Sequence, residues 1–117
     1  MLNFDGLKIY LSCGYTDMRK SINGLVSIVE QSFKLDPFEK AAYAFCNRKR
    51  DRIKIITWDG DGFWLYLKRL ERGHIRWPDK ESENTMTLTP DELHILLGSS
   101  RLNLKLTRRE VTERTAS

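Results

Sequence analysis

The sequence predicts a small single domain of the α+β class. An antiparallel β-meander of about four to five strands packs with a long N-terminal helix and a short C-terminal helix, in the order β-α-β-β-β-β-α. Helical periodicity is confined to the two ends of the chain, short apolar and aromatic runs fill its middle, and repeated Asp-Gly marks a hairpin there. With 117 residues, the chain has the length of one compact domain.

The first third of the chain predicts one strand and one helix. Apolar and polar residues alternate over 7–12, which is typical of a strand. Thr16 is the expected N-cap of a long helix, and Asp36 before Pro37 is the expected end of that segment. Gly24 is expected inside this helix, where it requires close packing. The apolar stripe of the helix comprises Met18, Ile22, Leu25, Val26, Val29 and Phe33.

The middle of the chain predicts a run of strands over 42–46, 52–58 and 63–70, with a further strand over 74–77. The loop Asp59–Gly62 connects the second and third of these runs as a hairpin. Its four-residue length predicts the cross-strand pairs Trp58–Phe63, Ile56–Leu65 and Lys54–Leu67 on one face, and Thr57–Trp64, Ile55–Tyr66 and Ile53–Lys68 on the other. We expect the first face, with Trp58, to pack on the N-terminal helix, and the second to expose Trp64 and Tyr66.

The last third of the chain predicts a polar loop over 79–87 and then a short helix. Thr89 to Glu92 has the pattern of a capping box, and Gly98 is the expected end of the helix. The apolar face of this helix comprises Leu93, Leu96 and Leu97. We therefore expect one domain over 1–98 and a basic, flexible tail over 99–117, in which Leu102, Leu104 and Leu106 have the alternation of an edge strand.

Composition limits the class of protein. No apolar run approaches the roughly 20 residues of a membrane helix, and the N-terminus lacks the pattern of a secretory signal. Cys13 and Cys46 are too few and too far apart for a zinc site or a disulfide framework. We therefore expect a cytoplasmic protein with reduced thiols, no membrane association and no cofactor.

The net charge of +4 is unevenly distributed. Residues 48–78 hold nine Lys or Arg against four Asp or Glu, which favours an anionic partner, most often nucleic acid. Phosphates are bound by Lys and Arg, while exposed aromatic rings stack with bases or form protein interfaces. Trp64 and Tyr66 are the candidates for stacking or interaction. The candidate nucleic-acid-binding residues are Arg48, Lys49, Arg50, Arg52, Lys68, Arg69, Arg72 and Arg76.

Acidic residues allow a more remote hypothesis, a small metal-dependent nuclease that uses Asp17, Asp59 and Glu71. A structural interpretation is simpler, because Asp17 suits a helix start and Asp59 suits a turn. His74 and His94 are isolated, and neither cysteine has the sequence context of an activated nucleophile. The sequence therefore predicts no catalytic residue and no metal site.

An ordered set of motifs resembles the TnpB accessory proteins of the insertion sequence sixty-six family, over about residues 7–98. The set begins with Gly14–Lys20 (GYTDMRK) and continues with Trp58–Phe63 (WDGDGF), Lys68–Gly73 (KRLERG) and Trp77-Pro78. It closes with Leu96-Leu97-Gly98. The family-motif residues that we single out are Asp17, Arg19, Lys20, Lys54, Trp58, Asp59, Gly60 and Gly62.

This resemblance implies a bacterial mobile-element protein that transposition requires but that is not the transposase. A separate, larger protein would carry the acidic catalytic triad, and another small co-encoded protein resembles a helix-turn-helix DNA binder. The expected function is therefore that of a non-catalytic accessory protein, which contacts DNA, the transposase or both. The alternative is a protein-interaction module without direct DNA contact, for which a homodimer is one form.

Overall fold

The structure, a computed structural model, describes residues 4–102, with side chains as far as Gly98. Within these residues the chain forms five strands and two helices, and the first helix ends in a π-helical turn over Ile28–Ser32. The elements are β1 (Lys8–Ser12), α1 (Ile22–Ser27), β2 (Ala41–Cys46), β3 (Arg52–Trp58), β4 (Phe63–Arg69), β5 (Thr85–Leu88) and α2 (Pro90–Leu102). The expected α+β class is confirmed, and the five strands agree with the expected four to five.

The five strands form one mixed sheet in the order β4-β3-β2-β1-β5. Strands β1 and β2 are parallel, whereas the other neighbouring pairs are antiparallel. The expected antiparallel meander is therefore wrong at its first connection. The chain leaves β1 at one end of the sheet, and the segment that contains α1 carries it back to the other end, so that β2 runs in the same direction.

The β3–β4 hairpin has the register that the sequence predicts. Trp58 pairs with Phe63, and the ladder continues to Arg52 opposite Arg69 without interruption. The Asp59 side chain explains this regularity, because its Oδ1 accepts hydrogen bonds from the backbone N–H groups of Asp61 and Gly62 at 3.2 and 3.1 Å. An aspartate that bonds to the following backbone groups is a common way to fix a tight turn.

The expected long N-terminal helix is wrong in its start and its length. Helix α1 begins at Ile22 and has six residues, and Thr16 is not its N-cap. Instead, the backbone N–H of Thr16 donates to the carbonyl of Cys46 at 2.8 Å, which ties this segment to the end of β2. A contact between residues so far apart in the chain overrides the local helix-start pattern.

The expected strand over 74–77 is also wrong. This segment is irregular, and it inserts Ile75 and Trp77 into the core. The backbone N–H of Ile75 donates to the carbonyl of Arg50 at 2.7 Å, and Trp77 Nε1 donates to the carbonyl of Ser12 at 2.8 Å. The fifth strand is β5, which lies in the segment expected to be a loop and pairs with the free side of β1.

Helix α2 has the predicted capping box at its start. The backbone N–H of Thr89 donates to the Glu92 carboxylate at 2.8 Å, and the backbone N–H of Glu92 donates to Thr89 Oγ1 at 3.1 Å. The helix continues to Leu102, so its expected end at Gly98 is wrong. Most of the predicted basic tail, with the expected edge strand at Leu104 and Leu106, lies outside the described residues. Neither helix within residues 4–102 is long and apolar enough to span a membrane.

Apolar side chains cover both faces of the sheet. On one face, Leu25 of α1 and Val29 of the π-helical turn form a core with Tyr43, Phe45 and Ile56, and the packing of the helix on the Ile56 face is as predicted. On the other face, Trp64 and Tyr66 were expected to be exposed; Trp64 is exposed, but Tyr66 is half-buried against the core. Most of this face is buried. It is covered by α2 together with the segments before β1 and after β4. The residues of this second core include Phe4, Ile9, Leu11, Ile53, Ile55, Ile75, Trp77, Leu93 and Leu97.

Candidate nucleic-acid interface

The loop before α1 has a fixed conformation beside β3. Lys54 Nζ donates to the carbonyls of Met18 at 2.8 Å and Lys20 at 2.7 Å, so its charge serves as an anchor for the loop. Gly14 opens the loop with a φ of +80°, which strains other residues. The Lys20 side chain packs closely on Gly24, as expected, since a Cβ added at Gly24 would lie only 3.1 Å from it.

Within this loop, Asp17 holds the Arg19 side chain. The Arg19 Nε and Nη2 groups donate to the Asp17 carboxylate at distances of 2.7–3.1 Å, and the Arg19 backbone N–H donates to it at 2.9 Å. These hydrogen bonds lower the pKa of Asp17 well below its usual range and raise the pKa of Arg19. The Arg19 side chain is 91% exposed. The pair therefore presents an oriented guanidinium to solvent.

A second loop, between β2 and β3, faces the first. Its Asn47 side chain accepts hydrogen bonds from the backbone N–H groups of Asp51 and Arg52 at 3.0 and 2.9 Å, and donates to the Asp51 carboxylate at 2.6 Å. The Asn47 hydrogen bond lowers the pKa of Asp51. Arg48 crosses to the first loop, where its guanidinium lies 4.4 Å from the centre of the Tyr15 ring and donates to the Tyr15 hydroxyl.

Two adjoining cavities lie between these loops and the sheet, with volumes of about 410 and 420 Å³. Met18 and Arg52 line both cavities, which therefore adjoin, and we call the two together the basic groove. Its lining consists of Tyr15, Thr16, Asp17, Met18, Asn47, Arg48, Lys49, Asp51, Arg52, Lys54, Leu67, Arg69 and Glu71.

The basic groove contains four of the predicted nucleic-acid-binding residues. Arg48 and Lys49 lie at one end, Arg52 in the middle and Arg69 at the other end. Each groove carboxylate has its own hydrogen-bond donor: Asp17 binds Arg19, Asp51 binds Asn47, and Glu71 binds Arg69 at 2.9 Å. The groove thus combines several exposed cations with carboxylates that are already paired.

The other four predicted residues are not brought into the groove. Arg50 donates to Asp79 at 2.8 Å, and its side chain is only 22% exposed. Lys68 points to the opposite face of the sheet, where it donates to the carbonyl of Leu97 in α2 at 3.0 Å. Arg76 lines a separate apolar cavity against α2, and Arg72 is exposed in the turn after β4. The predicted set is therefore divided among several surfaces.

The predicted aromatic residues meet at the hairpin end of the sheet. Trp64 is 54% exposed, stacks on Tyr66 and donates from Nε1 to the Asp59 carboxylate at 2.6 Å. Trp58 is only half-buried, because it packs edge-on against Phe38 at the end of the core. These rings line a cavity of about 500 Å³ with Lys40, Gly60 and neighbouring residues, which we call the aromatic cleft.

The motif glycines belong to the β3–β4 turn that supports this cleft. Gly60 has a φ of +109°, which only glycine adopts readily, and Gly62 contributes a backbone N–H to Asp59. Backbone hydrogen bonds from the turn lower the pKa of Asp59, while the adjacent Asp59 raises the pKa of Asp61. The Trp-Asp-Gly-Asp-Gly motif therefore fixes the turn and the orientation of Trp64.

The three carboxylates of the nuclease hypothesis have separate structural partners. Asp17 holds Arg19, Asp59 holds the hairpin turn, and Glu71 holds Arg69. In the part of the chain that the structure describes, no three His, Cys, Asp or Glu side chains are grouped so that they could hold a metal ion.

Two groove residues, Tyr15 and Asn47, were not singled out as site residues from the sequence. Tyr15 is one of the exposed large side chains, and its ring orients Arg48. Asn47 organises the loop that carries Arg48 and Lys49. The available signal was the position of Asn47 four residues before Asp51, a spacing at which an amide side chain can hold a turn.

Comparisons with known proteins agree with the resemblance in the motifs. Residues 7–106 match the family described as "IS66 Orf2 like protein". The chain is 33% identical over 92 residues to "Uncharacterized protein y4hO" of Sinorhizobium fredii, and these cover 79% of each chain. It is 32% identical over 93 residues to "Uncharacterized protein y4jC" of the same organism, over 80% of this chain and 79% of that protein. No solved structure matches the chain significantly.

The family match extends further than the motifs suggested. The resemblance was expected to end at residue 98, but the match reaches residue 106 and includes the end of α2. It covers most of the chain, including both loops of the basic groove and the whole β3–β4 hairpin. The chain therefore belongs to the IS66 Orf2 like family, whose members are accessory proteins of insertion-sequence transposition.

Proposed function

We propose that this protein is a non-catalytic accessory factor of transposition that binds the phosphodiester backbone of DNA through the basic groove. The observation that carries the proposal is the convergence of two separate loops and the β3–β4 hairpin on the basic groove with its exposed cations. Six exposed cations lie at or beside the groove: Arg19, Lys20, Arg48, Lys49, Arg52 and Arg69. Two of them, Arg19 and Arg69, also form ion pairs with Asp17 and Glu71.

The internal contacts of the groove favour binding over chemistry. Lys54 is already engaged with two backbone carbonyls, and each groove carboxylate binds a donor of its own. The Asp17–Arg19 pair and the Tyr15–Arg48 contact hold two arginines in place. Ordering these long side chains before binding reduces the entropy that a phosphate contact must overcome.

The proposed contact is largely independent of base sequence. Phosphate contacts position a protein on DNA, whereas base edges must be reached in the grooves of the duplex to read sequence. If six cations each neutralise one phosphate, the logarithm of the binding constant should fall with the logarithm of salt concentration with a slope of roughly −5.

Fluorescence anisotropy of a labelled duplex tests this proposal. The double variant Arg48→Glu, Arg52→Glu should weaken binding about tenfold or more at low salt and reduce the salt slope by about 2. The matched control is Lys40→Glu, Arg76→Glu, which changes the net charge equally but outside the groove. Equal loss of affinity in both variants, or a salt slope near zero in the unmodified protein, would contradict the proposal.

A second candidate function is direct contact with the transposase through the aromatic cleft. Exposed Trp64, fixed by Asp59 and stacked on Tyr66, is the observation that favours it, because tryptophan and tyrosine are enriched at the centres of protein interfaces. Capture of the purified transposase should survive about 0.5 M salt, which screens phosphate contacts, and should be lost in Trp64→Ala. Capture by Trp64→Ala at the unmodified level contradicts this candidate.

The predicted co-encoded helix-turn-helix partner and the predicted cytoplasmic location rest on the resemblance and on composition. They stay predictions.

A further inference from the structure

Strand β4 forms one outer edge of the described sheet. Two backbone hydrogen bonds fix the direction of its amides: Asp59 N–H donates to Gly62 at 3.0 Å, and Leu70 N–H donates to Asp51 at 2.7 Å. Bonded and non-bonded pairs alternate along an antiparallel ladder. The even-numbered residues therefore bond to β3, and the backbone N–H and C=O groups that point outward belong to Phe63, Leu65, Leu67 and Arg69.

This edge also exposes apolar side chains on both faces of the sheet. Leu67 is 60% exposed on the face that packs against α1, and Trp64 is 54% exposed on the opposite face. Among the described residues, no strand pairs with the outer side of β4. A seven-residue edge strand with exposed apolar residues is a template for pairing with another strand.

We propose that a second copy of this chain pairs with β4 in an antiparallel arrangement whose two-fold axis passes beside Tyr66. This register pairs all seven residues of the strand. Leu65 and Leu67 of the partner subunit exchange backbone hydrogen bonds, as do Phe63 and Arg69 of the partner subunit. The leucine side chains then cover each other on one face, and on the other face Trp64 lies opposite Lys68 of the partner subunit.

The distribution of charged and aromatic residues along β4 favours a second copy of the chain as the partner and antiparallel pairing of the two strands. Its first two residues, Phe63 and Trp64, are aromatic, and its last two, Lys68 and Arg69, are cationic. Antiparallel pairing of two copies places each cationic residue opposite an aromatic residue in the ladder and keeps the cationic ends of the two strands apart. Parallel pairing would place like charges side by side. The same strand thus supplies both halves of a complementary interface.

Pairing through β4 joins two basic grooves on one side of a continuous sheet. Leu67 and Arg69 line the groove and point to the face that carries α1, so the two-fold axis places both grooves on that face. The proposed dimer does not depend on DNA binding, because its contacts are backbone hydrogen bonds and side chains of β4. Its test therefore uses no DNA.

Sedimentation equilibrium of the full chain measures the mass directly. The unmodified protein should have about twice the chain mass of 13.7 kDa at micromolar concentration. Leu67→Pro removes an outward N–H at an edge position, where proline is compatible with a sheet, and should give 13.7 kDa with an unchanged circular dichroism spectrum. Leu67→Lys repeats the test without a backbone change. A monomeric unmodified protein, or dimeric and folded variants, would overturn the proposal.

A cysteine placed on the axis tests the register. Tyr66 would face its own copy in a non-hydrogen-bonded pair with a Cα separation of about 4.5 Å, which a disulfide can bridge. Tyr66→Cys should therefore form a covalent dimer on mild oxidation. The matched control is Met86→Cys on the other edge strand, which should remain monomeric on a non-reducing gel. Equal cross-linking of both variants, or of Met86→Cys alone, would overturn the β4 register.

Discussion

At the level of single side chains, two aspartates pair with arginines in different surroundings. Asp17 binds Arg19 on the surface, where the arginine is 91% exposed, whereas Asp79 binds Arg50, whose side chain is 22% exposed and whose Nη1 atom is buried without a partner. Exposed ion pairs contribute little to stability, while removing one partner of a sheltered charge is costly. The same substitution should therefore have different effects at the two positions.

We expect Asp17→Asn to leave the free energy of unfolding nearly unchanged, because exposed ion pairs contribute little to stability. Transposition should nevertheless fall, because Arg19 loses the carboxylate that orients it. Asp79→Asn should cost about 1–2 kcal/mol, since the sheltered Arg50 guanidinium loses its negatively charged partner. Urea denaturation measures both free energies, and a transposition assay measures activity. A larger loss of stability in Asp17→Asn than in Asp79→Asn contradicts this assignment.

The thiol of Cys46 is a second residue with a testable property. Burial is the main cause that raises its pKa, from 9.0 to about 11. At pH 8 the fraction of thiolate is therefore about 100-fold lower than at an unshifted thiol, and the thiolate is the reactive form. Alkylation of Cys46 in the native protein should be at least 100-fold slower than in urea.

The same pKa shift predicts a dependence of stability on pH. The folded pKa lies above the unfolded one, so the unfolded state loses its proton first as the pH rises. The contribution of Cys46 is complete below pH 9 and is lost as the pH approaches 11. Cys46→Ala should therefore lose less stability between pH 9 and 11 than the unmodified protein. Identical pH profiles of unfolding would contradict this prediction.

At the level of elements, local signals were sufficient where neighbouring residues determine the structure. Asp59 and the glycines after it form a turn by themselves, so the β3–β4 register followed from the sequence. The capping box of α2 is local in the same way. The start of α1 could not be predicted, because a bond from Thr16 to Cys46 and the Lys54 anchor keep the preceding segment out of a helical conformation.

A similar reason explains why the strand lies at β5, where a loop was expected, and why the segment 74–77, expected to be a strand, is irregular. His74–Trp77 has the apolar alternation of a strand, but its apolar residues fill the second core instead of pairing. Thr85–Leu88 looks polar because it is an edge strand with exposed side chains. The sequence was sufficient to predict that the candidate site is rich in basic and aromatic residues. It could not show which of these residues lie together, because that depends on which face of the sheet α2 covers.

The segment 74–77 provides a test of this interpretation. Ile75 is 3% exposed within the second core, so Ile75→Ala should lower the free energy of unfolding by about 2–5 kcal/mol. The neighbouring Arg76 is exposed, and Arg76→Ala should change it by no more than about 0.5 kcal/mol. Urea denaturation of both variants measures the difference. Similar values for the two substitutions would show that this segment is not inserted in the core.

At the level of the whole molecule, one sheet separates two cores that belong to the same strands. Ile55 and Ile56 are consecutive residues of β3, and both are almost fully buried. Ile55 belongs to the core under α2, and Ile56 to the core under α1. Unfolding of either core would disrupt the sheet and expose the other core to water. We therefore expect the described domain to unfold in one cooperative transition.

Substitution of these two isoleucines tests whether the two cores unfold cooperatively. Ile55→Val and Ile56→Val each remove one methylene from a different core, and each should cost about 0.5–1.5 kcal/mol. Their side chains pack in different cores, so the double variant should lose about the sum of the two. Urea denaturation followed by tryptophan fluorescence and by circular dichroism should give coincident curves in every variant. Fluorescence reports on the packing around the three tryptophans, whereas circular dichroism reports on the whole sheet. Two separate transitions in the Ile56→Val variant would mean that the cores unfold independently.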